Sequence, residues 1–227
     1  MNEIQSSSKT RVLVVDDHPI IREGLALLFR QKMNLEMCGE AEDAEQTLAA
    51  IASRRPDIAI VDISLKNSNG LDLIRLLKER YPSLPVLVLS VHDESIYAER
   101  ALRAGARGYI MKEELTDKVV VAIRHVLSGK IYLSPRMSEK LLTRYVGGQT
   151  PGRQSPMERL SDRELAVYQM IGQGLGTRDI AERMHISPKT VQSYRSRIKD
   201  KLQLGSSSDL LQHAVQWAHG HAEPPAP

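Results

Sequence analysis

The sequence predicts an α/β protein, a doubly wound five-stranded parallel sheet, joined by a linker to an all-α four-helix unit. Three observations carry this. Short apolar runs with no alternating polar face recur as far as Met111, and helical periodicity fills the gaps between them. Such runs read as strands buried on both faces, which parallel sheets require. A Gly- and Pro-rich stretch, Gly147 to Gly152, then interrupts the pattern, and from Leu160 only helical texture remains.

After a polar leader, Val12 to Val15 forms the first strand, and Asp17-His18-Pro19 follows it. Pro19 suits the first turn of a helix, where its missing N–H costs nothing. Ile20, Ile21, Leu25, Leu28 and Phe29 carry that helix to about Lys32. A strand near Leu35 to Glu40 and a helix from about Asp43 to Ser53 come next. The central strand is Ile58-Ala59-Ile60-Val61, ending at Asp62, with Asn67 to Gly70 soon after. A helix near Leu71 to Arg80, the Val86 to Ser90 strand and a weaker helix from Glu94 to Arg103 follow. Gly108 to Met111 is the fifth strand, ending at Lys112, and a last helix from about Thr116 to Ser128 is stopped by Gly129. Five strand–helix pairs imply right-handed crossovers and a doubly wound sheet.

Residues 131–157 differ in character. Arg136 to Val146 has helical potential, whereas Gly147-Gly148-Gln149-Thr150-Pro151-Gly152 reads as a flexible linker. Ser161-Asp162-Arg163-Glu164 is a capping box opening a helix to about Ile171. Gly172, Gly174 and Gly176 break it, Thr177 is the expected cap of a short helix to Met184, and His185 to Ser187 is a tight turn. Ser187 as N-cap with Pro188 after it starts a third helix to about Leu202. Gly205 is the expected end of that helix, and Ser206 to Ser208 cap a fourth, bearing Leu210, Leu211, Val215 and Trp217. Trp217 fits either a core or an interface.

Composition sets bounds on function. A single cysteine, Cys38, excludes an intramolecular disulfide and fits a reducing compartment. No apolar run approaches the ~20 residues that span a bilayer, and the N-terminus lacks the features of a secretory signal. The expectation is a cytoplasmic protein with no membrane partner. The formal net charge of +3 divides unevenly: residues 131–227 carry +4 and the remainder −1. Five basic residues and one acid lie between Pro188 and Lys201. That clustering is either a solvated helix face or an electrostatic footprint for nucleic acid.

The strand ends carry chemistry. A lone Asp62 would only terminate a buried strand. Yet the five-strand pattern also ends in Asp16-Asp17, in Ser90 and in Lys112. Ligands bind at the carboxyl ends of parallel strands. Three carboxylates brought together there would repel one another without a hard divalent cation, and oxygen ligands suit Mg²⁺. A hydroxyl and an ammonium beside them suit phosphoryl oxygens. Through Asp16-Asp17, Asp62, Ser90 and Lys112 in that order, the chain resembles the flavodoxin-like receiver domain of two-component response regulators.

That resemblance implies strand order 2-1-3-4-5 and a phosphoacceptor role for Asp62, served by a sensor histidine kinase. It implies direct Mg²⁺ binding by Asp17, water-mediated binding by Asp16, and the Ser64 backbone carbonyl as a further ligand. Lys112 and Ser90 would contact the phosphoryl group. Tyr109 matches the switch aromatic that moves inward with the hydroxyl, although a half-buried strand tyrosine reads equally well. The chain departs from the family pattern twice. Leu65-Lys66 replaces a common Met-Pro, so the loop loses proline's rigidity, and Val91 is larger than the usual Ala or Gly after the hydroxyl residue. His18 sits beside Asp17 as a general base or as a structural loop histidine, and Ser64 and His92 flank the site.

Two helices joined by a short turn, the second one basic, suggest a helix-turn-helix, although a plain bundle has the same periodicity. Leu160 to Glu164, Gly174-Leu175, Asp179 to Ala181 and Ile186 to Val191 resemble the LuxR-type DNA-binding domain. At about 100° per residue, Val191, Arg195, Ile198 and Leu202 share one side of the third helix. Lys189, Gln192, Ser193 and Ser196 lie opposite as candidate base readers, with Thr190 in the same first turn. Arg195, Arg197 and Lys199 are better placed for phosphates.

Together the two resemblances follow the domain order of the NarL/FixJ class. The expected domains are a receiver over 10–130, a linker with a possible helix over 131–157, and the DNA-binding domain over 158–220. The expected function is a phosphorylation-switched transcription regulator binding double-stranded DNA, dimerising on it, with RNA polymerase a further partner open to it. An aspartyl phosphatase would need a second acid two residues after the first, and Asp62-Ile63-Ser64 lacks one, so no enzyme is expected. The remaining rival is a DNA-binding protein whose receiver serves only as an interaction module.

Overall fold

Aliphatic runs with β-branched residues pair most favourably where both faces are covered, and the main strands do so except Leu35–Ala41, which is buried only at its two ends. In the computed structural model, residues 9–32, 34–66, 68–114, 117–146 and 156–220 are described. The leader, Thr116, the predicted linker from Gly147 to Gly152 and the Pro-rich tail lie outside them. The chain divides into two units, Met1–Leu142 and Thr143–Pro227.

In the first unit, β1 (Thr10–Val15), β2 (Leu35–Ala41), β3 (Ile58–Val61), β6 (Val86–Ser90) and β7 (Gly108–Met111) make one sheet. Its order is β2-β1-β3-β6-β7, all pairs parallel. Counted among these five alone, that is the expected 2-1-3-4-5. A short antiparallel pair, β4 (Ser64–Leu65) and β5 (Ser68–Asn69), follows β3 and was not legible in the sequence.

The helices of this unit are α1 (Pro19–Arg30), α2 (Ala44–Arg54), α3 (Gly70–Arg80), α4 (Glu94–Ala104) and α5 (Asp117–Leu127), and α6 (Pro135–Val146) runs across the division at Leu142. Pro19 sits at the start of α1 as expected, and Asp43, Asn69 and Asp93 cap α2, α3 and α4 through side-chain oxygens. Val12, Val14, Ile58, Ile60, Leu87 and Leu89 cluster with Leu25 and Phe29 of α1 and with Val119, Ile123 and Val126 of α5. Each such side chain contributes about 1.5–3 kcal/mol by leaving water. The alternating residue set is what makes α1 and α5 cover one face together.

In the second unit, α7 (Asp162–Gly172), α8 (Thr177–Arg183), α9 (Pro188–Leu202) and α10 (Ser207–Gly220) surround Leu165, Tyr168, Ile171, Ile180, Val191, Ile198 and Leu210. Two boundary expectations are corrected. Thr177 is the first residue of α8 and caps nothing; Asp179 reaches back to the Gly176 N–H at 3.0 Å. Gln203, with φ +56°, forms the left-handed end of α9 in place of Gly205. Gly172 has a role beyond breaking α7. A Cβ there would lie 2.6 Å from the Ala214 carbonyl oxygen, so its absence lets α7 approach α10.

Candidate functional site

Register brings the strand ends together. Val15 pairs with Val61, and Val61 pairs with Val88, so Asp16 and Asp62 emerge side by side at the carboxyl edge of the sheet. Ser90 pairs with Met111, which sets Lys112 just beyond it. Asp62 is buried, and its carboxylate is fully engaged. Oδ1 accepts from the Ile63 N–H at 2.6 Å and from Ser90 Oγ at 2.7 Å. Oδ2 accepts from Lys112 Nζ at 2.7 Å. The same ammonium stands 2.7 Å from Asp16 Oδ2. Burial opposes the charge of Lys112, but Asp62 and Asp16 outweigh it and hold its pKa above the ordinary lysine value.

Backbone constraints fix the acceptor loop. A Cβ on Gly70 would lie 2.0 Å from the Asp62 carbonyl oxygen, so only glycine lets α3 start this close to the acceptor. Lys66, where many receivers have proline, uses the N–H that proline lacks: it donates to the Glu42 carbonyl at 3.2 Å. Lys66 Nζ also reaches the Glu42 carboxylate at 3.4 Å. The β4–β5 pair and this tether restrain the loop by hydrogen bonds in place of a ring. Arg22 adds a brace, donating to the Asp16 carbonyl at 2.7 Å and pairing with Glu40 and Glu42.

Asp16, Asp17, His18 and Asp62 each present one ligand atom, all within 4.8 Å of one another. Asp17 Oδ1 is buried and accepts no hydrogen bond. His18 Nδ1 is 2.7 Å from it, but hydrogen-bonds instead to Asp16 Oδ1 at 3.1 Å. Burial raises the Asp17 pKa above the ordinary carboxylate value, with Asp16 and Asp62 adding to the shift and His18 opposing it. Three carboxylates facing one ammonium leave an excess of negative charge and a buried oxygen without a donor. Both features fit a divalent cation held by oxygen ligands.

The flanking groups form a second connection. Tyr109 is buried, and its hydroxyl donates to the His92 carbonyl at 2.6 Å. The half-buried reading of Tyr109 is thereby corrected: the residue is only 1% exposed. His92 Nε2 lies 2.8 Å from Ser64 Oγ and its ring stacks on Tyr97. Burial holds the His92 pKa below the ordinary histidine value. No sequence signal distinguishes this Ser64–His92 bond, since it joins loops 28 residues apart. Val91 is 57% exposed and turns to solvent.

In α9, Val191 and Ile198 are buried and Lys189, Gln192, Ser193, Ser196 and Arg197 are exposed. Arg195 and Lys199 lie at the margins, partly covered, and burial lowers the Arg195 pKa. Thr190 differs from its neighbours: its hydroxyl bonds Ser187 Oγ at 2.8 Å within the N-cap. Ser193 Oγ donates back to the Lys189 carbonyl. The helix is anchored at its far end by Lys201, which bonds the buried Glu164 at 2.6 Å. Trp217 meets Tyr168 edge-on with ring centroids 5.5 Å apart, a place in the domain's own packing.

A parallel sheet with this acid, hydroxyl and lysine set, followed by a helix-turn-helix unit, defines a receiver protein with a DNA-binding module. Residues 12–124 match the response regulator receiver domain, and residues 158–214 match the bacterial regulatory proteins of the luxR family. The response regulator GacA of Pseudomonas protegens is 34% identical over 210 residues, covering 92% of this chain and 96% of that protein. The transcriptional regulatory protein DegU of Brevibacillus brevis is 29% identical over 229 residues, covering 95% and 97%. Among solved structures, RcsB of Salmonella typhimurium aligns with a TM-score of 0.69 at 23% identity, covering 92% of this chain and 98% of that one. The chain belongs to the NarL/FixJ class of two-component response regulators.

Proposed function

We propose that this regulator is switched by phosphorylation of Asp62 and that α9 reads double-stranded DNA. The observation that carries the first half is the buried Asp62 carboxylate, met by Lys112 and Ser90 beside two further acids. A sensor histidine kinase would supply the phosphoryl group. An Asp62 oxygen attacks phosphorus, and a P–O bond forms as the P–N bond of the phosphohistidine breaks, with the electron pair leaving on the imidazole. Lys112 and Ser90 then transfer their hydrogen bonds from the carboxylate to phosphoryl oxygens. The backbone N–H of Ile63 keeps the acceptor side chain oriented. Asp16, Asp17, Asp62 and the Ser64 carbonyl would hold Mg²⁺, which when bound neutralises charge on the transferring group.

The domains serving these steps are the receiver, 10–130, and the DNA-binding domain, 158–220, with 131–157 between them. Lys189, Gln192, Ser193 and Ser196 are the base-facing set, and Arg195, Arg197 and Lys199 the phosphate-facing set. Phosphorylated receivers pair, so two α9 helices meet adjacent half-sites on DNA. RNA polymerase is a further partner consistent with this role, and the cytoplasm is its place. The bound DNA in the related RcsB complexes, 23% identical with TM-score 0.65, is a property of that protein and supports the reading by analogy.

One observation favours a second reading. Ser90 and Lys112 between them engage both Asp62 carboxylate oxygens, and Tyr109 is buried. A receiver resting in this arrangement would need no phosphorylation and would act as an interaction module. Labelling with acetyl phosphate, with and without Mg²⁺, tests both. We expect Mg²⁺-dependent incorporation in the wild type, none in Asp62→Asn, and tighter operator binding by the labelled protein. Incorporation into Asp62→Asn would refute the acceptor assignment, and equal operator binding by all forms would favour the second reading.

A further inference from the structure

We propose that His18 supplies an imidazole nitrogen ligand to the cation centre, giving it a preference for Ni²⁺ and Zn²⁺ that an all-oxygen site lacks. This rests on the reading of Asp16, Asp17 and Asp62 as the cation site and adds a ligand to it. The geometry points to His18 in three ways. Its Nδ1 is one of the four ligand atoms that lie within 4.8 Å of one another. It stands 3.1 Å from Asp16 Oδ1 and 2.7 Å from Asp17 Oδ1. Adjacent ligands about 2.1 Å from a six-coordinate ion sit about 3 Å apart, so both separations suit neighbouring positions in one coordination sphere.

The second observation is Asp17 Oδ1, the buried oxygen that accepts no hydrogen bond although Nδ1 is so near. A nitrogen donating to Asp16 leaves Asp17 without a partner. A cation between the two atoms would satisfy both at once. The third is how the ring is held. The His18 N–H donates to Asp16 Oδ1 at 2.9 Å, and Pro19 fixes the backbone immediately after it. The ring is thus positioned by the same carboxylate it would share a cation with. Its other side is open, with the side chain 56% exposed, so Nε2 can keep its proton toward water while Nδ1 ligates.

Imidazole nitrogen suits Ni²⁺ and Zn²⁺, whereas Mg²⁺ and Mn²⁺ prefer carboxylate, carbonyl and water oxygens. The consequence is a regulator whose receiver responds to the transition-metal supply as well as to its kinase. Loss of a metal-site partner typically costs about 10–100-fold in affinity, so His18→Phe should weaken Ni²⁺ binding by at least about tenfold while Mg²⁺ binding changes little.

The test uses the full-length protein loaded with Mn²⁺ and examined by pulsed electron paramagnetic resonance. Directly coordinated nitrogen modulates the echo, and carboxylate oxygens do not. Histidine labelled with ¹⁵N should change the modulation in the wild type, which identifies an imidazole without any substitution. The modulation should persist in His92→Gln and vanish in His18→Phe. A wild-type spectrum without nitrogen modulation overturns the proposal, as does modulation that survives in a folded His18→Phe protein. Should His18→Phe fail to fold, the labelled wild type and His92→Gln still decide, because these are the two ring nitrogens near the centre. Mg²⁺-dependent phosphorylation without nitrogen ligation would refute this inference alone. Nitrogen ligation without phosphorylation would refute only the acceptor reading, and absence of any Mn²⁺ binding would refute both.

Discussion

Lys112 is the residue on which the charge balance turns. Its ammonium bonds both Asp16 and Asp62, and all three are buried. Removing one partner of a buried pair typically costs about 3–5 kcal/mol, because the remaining charges lose their compensation. Lys112→Ala should therefore destabilise the receiver by about that much in chelator, and Mg²⁺ should restore more stability to it than to the wild type. Denaturant unfolding followed by circular dichroism, with and without Mg²⁺, measures this. Equal gains in both proteins would mean that lysine and cation act on separate charges. At this scale Asp16, Asp17, Asp62, Ser90 and Lys112 were legible, because each terminates an apolar run and strand order does the rest. The Ser64–His92 bond, the Arg22 brace and the Lys66 tether were not. They join residues far apart in the chain whose approach depends on tertiary packing, and no periodicity encodes it.

Among the elements, α9 shows what patterning can and cannot reach. Its bounds and its buried face follow from Ser187-Pro188 and from the spacing of Val191 and Ile198. The left-handed end at Gln203 does not, since glycine is the usual choice there and Gly205 drew the expectation. Gln192 lies on the exposed side near the N-terminus, where side chains reach base edges. Gln192→Ala should weaken binding at particular base positions, whereas Lys199→Ala should weaken all sequences alike and reduce the salt slope by about one unit. Operator libraries titrated at several salt concentrations separate these outcomes, and identical profiles for both variants would defeat the sorting. The anchor at the other end is pH-sensitive. Burial opposes the Glu164 charge, but Lys201 and the Ser161 cap outweigh it and hold its pKa below the ordinary value. A depressed carboxylate stabilises the fold above its unfolded pKa, about 4.3, and that contribution is lost as pH falls through the lower folded value. The wild type should therefore lose more stability than Glu164→Gln between pH 7 and acid conditions in melts of the full-length protein. Parallel losses would remove Glu164 from the acid response.

For the whole molecule, the question is how phosphate on one unit, as proposed, would alter DNA binding by the other. The second unit has its own capping box and its own buried core around Tyr168, Val191 and Ile198. Between the two family-matched segments, 12–124 and 158–214, the sequence places Gly147, Gly148, Pro151 and Gly152, a composition expected to transmit a rigid push poorly. The remaining routes are coverage of α9 by the resting receiver or pairing of phosphorylated receivers. Pairing makes the second half-site contact intramolecular, and such linkage can raise avidity by about 10²–10⁴ without altering either helix. On this route a fragment beginning at Thr150 should select the same operator as the full-length protein. It should bind no better than the resting form, and at least about a hundredfold less tightly than the phosphorylated one. Coverage predicts the opposite order for the first two, with the fragment binding more tightly than the resting protein. Titrating one operator with all three species at one salt concentration decides between them. A folded fragment without operator preference at any concentration would show instead that the receiver contributes to recognition itself.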